Sequence, residues 1–352
     1  MRTKLTLFFL VILSQSACAQ PPVVDLSCEN TEVDMSPLQE MEGVLAGENN
    51  HGIRSILLWK DDCMAYENYW GKYHAHSTHD LRSATKSITS LLVGIAIEQG
   101  HLKLDDPVFP ILRSQYPEHK HTSPEKDAIT VRHLLTMSSG LACNDRDKKS
   151  PGQEDRMYKK RDWLQHFTDL PMDGLAGDSS IYCTGGVVAL GRLIEVKSGM
   201  KIDAFAEQFL FGPLGITDYT WARFDGKEGF DTGGHIDFRP RDMIKIGRLV
   251  LQKGKWEGKQ IVSEAWIQES TDLQTRIDGG RPYGYLWWFA GVKSDQNTYK
   301  MVFASGNGGQ YIFIIPELDC VVVFTAGNYN SPKAGRPFAL LNQYIFPALP
   351  EF

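Results

Sequence analysis

Strand patterns at both ends of the chain and helical ones between them predict an α+β fold: a discontinuous sheet-bearing domain, flanked by helices, with an all-helical insertion. Three observations carry this. Apolar and alternating runs flank Asp61-Asp62 between Gly52 and Trp70. Apolar residues at helical spacing fill several segments between Arg82 and Gln252. Beyond about Gly279, short strand-like runs return, separated by Gly, Pro and Asp. The boundaries read as a signal peptide over 1–19, an N-terminal extension over 20–50, a sheet subdomain from 51–88 with 240–352, and a helical subdomain over 89–239.

The composition leaves room for a large core: 352 residues, 42% hydrophobic and 23% charged. A formal charge of −6 supplies no basic footprint for nucleic acid. After the first 20 residues no apolar run is long enough to span a bilayer. At the start, Arg2 and Lys4 precede the apolar run Leu5 to Leu13 and then Ala17-Cys18-Ala19, the layout of a secretory signal cut before Gln20. Export to the periplasm or the medium follows. Lipidation of Cys18 is the alternative, disfavoured by Gln15 where such signals usually carry Leu. Export permits disulfides among Cys28, Cys63, Cys143, Cys183 and Cys320; the expected pairs are Cys143 with Cys183 and Cys28 with Cys63.

In chain order, Gly52 to Trp70 reads as a β-hairpin, and His74-Ala75-His76-Ser77-Thr78-His79 as a polar loop rather than a metal site, since it lacks helical ligand geometry. Arg82 to Gly100 reads as a buried helix with Ile88, Leu91, Leu92, Ile95 and Ala96 on its apolar positions and Gly100 as its stop. Thr130 starts a short helix closed by Gly140, and Asn144-Asp145-Arg146-Asp147 reads as solvated loop, lacking the Gly and Glu of a calcium loop. Asp162 to Leu170, Val187 to Glu195, Ile202 to Phe211 and Met243 to Gln252 continue the helices. Tyr283 to Phe289, Tyr299 to Ala304, Tyr311 to Ile315 and Val321 to Ala326 are strands, and Phe338 to Phe346 is helical.

Chemistry concentrates at Ser83 and Lys86. One helical turn puts hydroxyl and ammonium on a common face, at a helix start whose dipole favours a developing anion. The string S-x-x-K also occurs at Ser123 to Lys126 and Ser198 to Lys201, but only Ser83 opens an apolar helix. The bland alternative is an N-capping serine beside a solvated lysine. No G-x-S-x-G elbow occurs, which removes hydrolases of the α/β type.

Four segments in order resemble the serine β-lactamase and penicillin-binding-protein superfamily, within it the class C branch of esterases, D-amino-acid peptidases and nylon-oligomer hydrolases. They are Ser83-Ala84-Thr85-Lys86, I-T-V-R-H-L-L-T-M-S-S-G-L at Ile129 to Leu141, the Tyr182 turn before its Gly-rich helix, and S-G-N-G-G-Q-Y at Ser305 to Tyr311. The resemblance runs from about Gly52 to the C-terminus. It implies a β-lactamase/transpeptidase-like fold with an antiparallel sheet, and a secreted hydrolase that opens an ester or amide through an acyl-serine. It also implies Ser83 as nucleophile, Lys86 and Tyr182 as a coupled proton-transfer pair, and an oxyanion hole from the backbone N–H groups of Ser83 and Asn307. Thr184, Ser305 and Gly306 become substrate-binding candidates. The implied partner is a small ester, amide or peptide, with no metal or organic cofactor; oligomeric state stays open.

Two positions depart from the pattern. Thr184 replaces the asparagine of Y-x-N, and Ala304 stands where a lysine or histidine would hold a substrate carboxylate. A hydrogen bond to a charged group contributes about 1.5–3 kcal/mol, so losing that cation weakens β-lactam and D,D-peptide recognition without touching the nucleophile. A β-lactamase or D,D-peptidase is therefore the second expectation, and a non-catalytic ligand-binding relative the third.

Overall fold

The computed structural model describes residues 32–224, 229–294 and 297–350. Its centre is an eight-stranded sheet made of β1 (Ile53–Lys60), β2 (Cys63–Tyr69), β3 (Thr275–Ile277), β4 (Arg281–Tyr283), β5 (Trp288–Lys293), β6 (Thr298–Gly306), β7 (Gln310–Ile315) and β8 (Cys320–Ala326). Their order is β3-β4-β5-β6-β7-β8-β1-β2, and every pairing is antiparallel. The first hairpin therefore closes onto the last strand of the chain.

Both ends of the sequence are needed to build this sheet because β1 pairs with β8, and its middle strands are covered on both faces. Along β7 and β8 every residue is buried. Ile314 pairs with Val321, and on their face helix α4 (Pro240–Leu251) packs so closely that Gly247 meets the Val321 and Ile312 side chains. On the opposite face Phe313 contacts Phe303 and Phe338, the latter from the C-terminal helix. An antiparallel strand with one wet face alternates; these strands read as unbroken apolar runs because neither face is wet. Each fully buried Val, Ile or Phe contributes about 1.5–3 kcal/mol.

The expected hairpin is present: Asp61 and Asp62 both take positive φ, 48° and 58°, as a two-residue turn of the primed type requires. Sequence reasoning missed a helix in the stretch 20–50. Here α1 (Met35–Ala46) is capped by Asp34, which accepts from the Ser36 N–H, and buries Leu38, Met41 and Leu45. Cys63 is disulfide-bonded; Cys28, Cys18 and the stretch 1–19 expected to be a signal peptide lie outside the described residues. Cys320 is buried in β8. Among the described residues no helix is long and apolar enough to cross a membrane, and no cluster of metal-ligating side chains occurs. His74 and His76 face solvent, whereas His79 is buried.

Candidate active site

Helix α2 (Thr85–Glu98) is the element on which the site is built, and every residue from Thr85 to Ile95 is buried. Such a helix cannot be amphipathic, so its polar side chains need partners elsewhere. Ser87 donates to the Leu286 carbonyl at 2.7 Å, and Thr89 to the Thr232 carbonyl at 2.7 Å. These bonds fix the helix to two loops and set the direction in which Lys86 points.

Ser83 lies in a single 3₁₀ turn, Arg82–Ala84, ahead of α2 rather than within it. Arg82 has φ +50°, a left-handed conformation unusual for an arginine. Its side chain is held between Asp80, at 3.0 Å, and the Tyr329 ring. Ser83 makes no capping bond, so the N-cap alternative does not describe it. That alternative does describe the second copy of the string: Ser123 caps Pro124–Asp127 by accepting the Lys126 N–H.

Lys86 is 1% exposed. Its ammonium donates to the Gly233 carbonyl at 2.6 Å and to Ser83 Oγ at 3.2 Å, and sits 5.0 Å from the centre of the Tyr182 ring. Burial alone would lower its pKa. Negative charge at Tyr182 and at the carboxylates of Glu154, Asp145 and Asp231 outweighs that penalty and raises it. The lysine is thus an ammonium at neutral pH.

Tyr182 arrives from the opposite part of the chain, on the loop before α3 (Thr184–Ser198). Several anchors hold that loop. The Cys143–Cys183 disulfide spans a Cα–Cα distance of 5.5 Å. The Asp145 N–H donates to the Tyr182 carbonyl at 2.9 Å, and Ser180 bonds Thr275 on β3 at 2.6 Å. The Tyr182 ring stacks on Trp288 of β5, centroids 5.6 Å apart, so the sheet buttresses one side of it. Arg146, ion-paired with Asp278, lies 5.8 Å from the ring centre.

The fourth segment, Ser305 to Tyr311, reaches the site because β6 ends against the Ser83 turn. A Cβ added at Gly306 would stand 2.0 Å from the Leu81 carbonyl oxygen, so only glycine permits this approach. Asn307 follows at the exposed tip, its side chain engaged with Asn330, and Ser305 pairs with Tyr311. Ala304 is 1% exposed and pairs with Ile312, offering no cation.

Two expectations need correction. Thr184, expected at the substrate, is fully buried and already engaged within the fold, with its hydroxyl 2.7 Å from Asp145 Oδ2 and 3.0 Å from Glu154 Oε2. Its side chain is short, so it turns back to the nearest acceptors at the start of its helix. The run Asn144 to Asp147 is likewise not plain solvated loop, since Asp145 and Arg146 lie beside Tyr182. No local signal marks these residues; the disulfide at Cys143 was the one hint of proximity.

The architecture is that of β-lactamases and transpeptidases. A putative 6-aminohexanoate-dimer hydrolase from Bacillus anthracis superposes with a TM-score of 0.71 at 17% identity, covering 88% of this chain and 81% of that one. A penicillin-binding protein from Bacillus halodurans gives 0.65 at 18% identity, covering 87% and 99%. The family model described as Beta-lactamase matches residues 43–344, and the chain belongs to that family. Among relatives by sequence, the 6-aminohexanoate-dimer hydrolase of Paenarthrobacter ureafaciens is 24% identical over 302 residues, 76% of this chain and 71% of that protein. The lovastatin esterase of Penicillium rubens is 28% identical over 191 residues, 49% and 46% respectively.

Proposed function

We propose that this protein is a secreted serine hydrolase that opens an ester or amide bond through an acyl-serine intermediate. The observation that carries the reading is the convergence of Ser83 Oγ and the Tyr182 ring on one buried ammonium, Lys86 Nζ, at 3.2 Å and 5.0 Å. A serine hydroxyl attacks a carbonyl only when a neighbour takes its proton. Lys86 and Tyr182 are coupled, so it is the state of the pair that has already lost one proton that takes the serine proton and later returns it to the leaving group. The backbone N–H groups of Ser83 and Asn307 receive the tetrahedral oxyanion, a role in which one donor contributes about 3–4 kcal/mol. Water then releases the acid.

Ala304 favours ester and amide substrates over β-lactams, because nothing at that position holds the carboxylate that β-lactams carry. The relatives named above, a dimer hydrolase and an esterase, agree with that ranking. The test is a panel of short-chain esters, D-amino-acid amides and β-lactams, assayed with the wild type and Ser83→Ala. Turnover of an ester or amide at least 100-fold above any β-lactam, abolished in Ser83→Ala, is the expected result. Preferred β-lactam hydrolysis would overturn the substrate ranking, and activity surviving in Ser83→Ala would overturn the mechanism.

A further inference from the structure

We propose that Asp145 and Glu154 hold one proton between them across the Thr184 hydroxyl, and that this proton sets the charge behind Lys86 and Tyr182. The proposal rests on the hydrolase reading above and names positioning residues for it.

Too few hydrogens are available for the contacts at the Thr184 hydroxyl. Thr184 Oγ1 lies 2.7 Å from Asp145 Oδ2 and 3.0 Å from Glu154 Oε2. A hydroxyl has one hydrogen and can donate to one carboxylate. The other contact is attractive only if that carboxyl group carries a proton and donates to the threonine lone pair. With both acids ionised, two oxygens at hydrogen-bond distance would face each other with no hydrogen between them. Full burial of Thr184 makes that arrangement costly.

The surroundings set where the proton is lost. Asp145 also accepts the Thr184 N–H at 2.7 Å and the Glu154 N–H at 3.1 Å, bonds that favour its ionised form. Against them stand burial and the Glu154 carboxylate, which push the Asp145 carboxyl up to about 6. The proton is shared across the Thr184 hydroxyl, and burial beside a second carboxylate holds it on to higher pH than an exposed aspartate would. The other charged or titratable groups around the pair are Lys86 on α2, Asp231 with its partner Tyr158, Tyr182 ahead of α3, and Arg146 with Asp278. Of these, Lys86 and Tyr158 both feel the pair, since its two carboxylates raise the pKa of each, and Lys86 is the one that touches Ser83.

A mechanical link accompanies the electrostatic one. The Asp145 N–H holds the Tyr182 carbonyl, and the disulfide joins the residues on either side of these two, Cys143 and Cys183. When the pair gives up its proton, one more negative charge stands behind the site. Lys86 then keeps its own proton to higher pH, and the Lys86–Tyr182 pair becomes a proton acceptor later.

Two measurements on the full chain test this. In Glu154→Gln the amide still donates to Thr184 but cannot ionise, so the rising limb of kcat/KM against pH should move down by about half a unit to one unit. Asp145→Asn should move it the same way. Independently of turnover, the infrared difference between wild type and Glu154→Gln at pH 5 should contain the carbonyl stretch of a protonated carboxyl, fading as pH rises through about 6. Absence of that signal, or a limb unmoved in both variants, overturns the proposal. If a fluorophosphonate labels Ser83 while the infrared signal is absent, the proton-sharing idea alone fails. If nothing labels Ser83, the hydrolase reading fails and the infrared result still decides whether the pair holds its proton.

Discussion

The Lys86 ammonium stands closer to the Gly233 carbonyl, at 2.6 Å, than to the Ser83 hydroxyl, at 3.2 Å. The backbone of the 231–235 loop therefore fixes the amine, and the serine meets a group already in place. A planar guanidinium cannot take a compact ammonium's position between two acceptors on different elements. Lys86→Arg should accordingly keep the charge and lose about 10²- to 10⁴-fold in kcat on an ester substrate. Lys86→Met should lose as much and also melt earlier, because the Gly233 carbonyl is left unpaired at a cost of about 1–3 kcal/mol. Activity within tenfold of wild type in Lys86→Arg would show that amine placement does not matter.

Gly306→Ala tests whether the end of β6 must touch the Ser83 turn. The new Cβ would meet a backbone oxygen at 2.0 Å, which no rotamer change relieves. Strand and turn must separate, carrying Asn307 away from Ser83. The expected outcome is a folded protein whose kcat falls by about 100-fold or more, in line with loss of one oxyanion donor. Steady-state kinetics beside a thermal melt would separate this from unfolding.

The Cys143–Cys183 bridge closes a loop with a sequence separation of 40. The chain-entropy model gives it about 4 kcal/mol. Cys143→Ala/Cys183→Ala should therefore lower the denaturation midpoint by an amount matching that figure. Activity should fall too, since the bridge adjoins Tyr182. Equal urea midpoints for the variant and the wild type would remove the bridge from the account of stability.

Acid stability should be governed in part by His79. It is 2% exposed, and neither ring nitrogen has a hydrogen-bond partner among the described residues. Burial, with the Arg54 charge, lowers its pKa to about 4. The unfolded ring takes a proton at about 6.5, so its contribution is complete above that value and is lost as pH falls through the window, at most about 3 kcal/mol. Asp145 acts in the opposite sense: raised to about 6, it favours the fold as pH falls below that. His79→Phe removes the first effect alone. Its Tm should drop less between pH 7.5 and 4.5 than the wild type's, and parallel curves would exclude His79 as the acid-sensitive group.

Much of this site was legible in the sequence because two periodicities do chemical work. Spacing of three across the 3₁₀ turn and the first turn of α2 brings Ser83 and Lys86 together, and the apolar run after them marks the helix as buried. The same string at Ser123 and Lys126 gave an N-cap and a lysine bound to backbone carbonyls, and only context separates the two. The sheet was readable from its apolar runs, since strands covered on both faces leave no polar positions. Other features were out of reach. The left-handed Arg82 is a non-glycine held by tertiary partners, and the approach of Asp145 to Thr184 depends on how a loop closes through the disulfide. Neither leaves a local pattern.

The central claim is that Ser83 is a nucleophile activated by its neighbours. Intact-mass measurement after treatment with a fluorophosphonate, followed by peptide mapping, tests it most directly. The expected result is a single adduct on Ser83 in the wild type, absent in Ser83→Ala and slowed at least 100-fold in Lys86→Met. An unmodified wild-type protein, or an adduct that persists in Ser83→Ala, would contradict it.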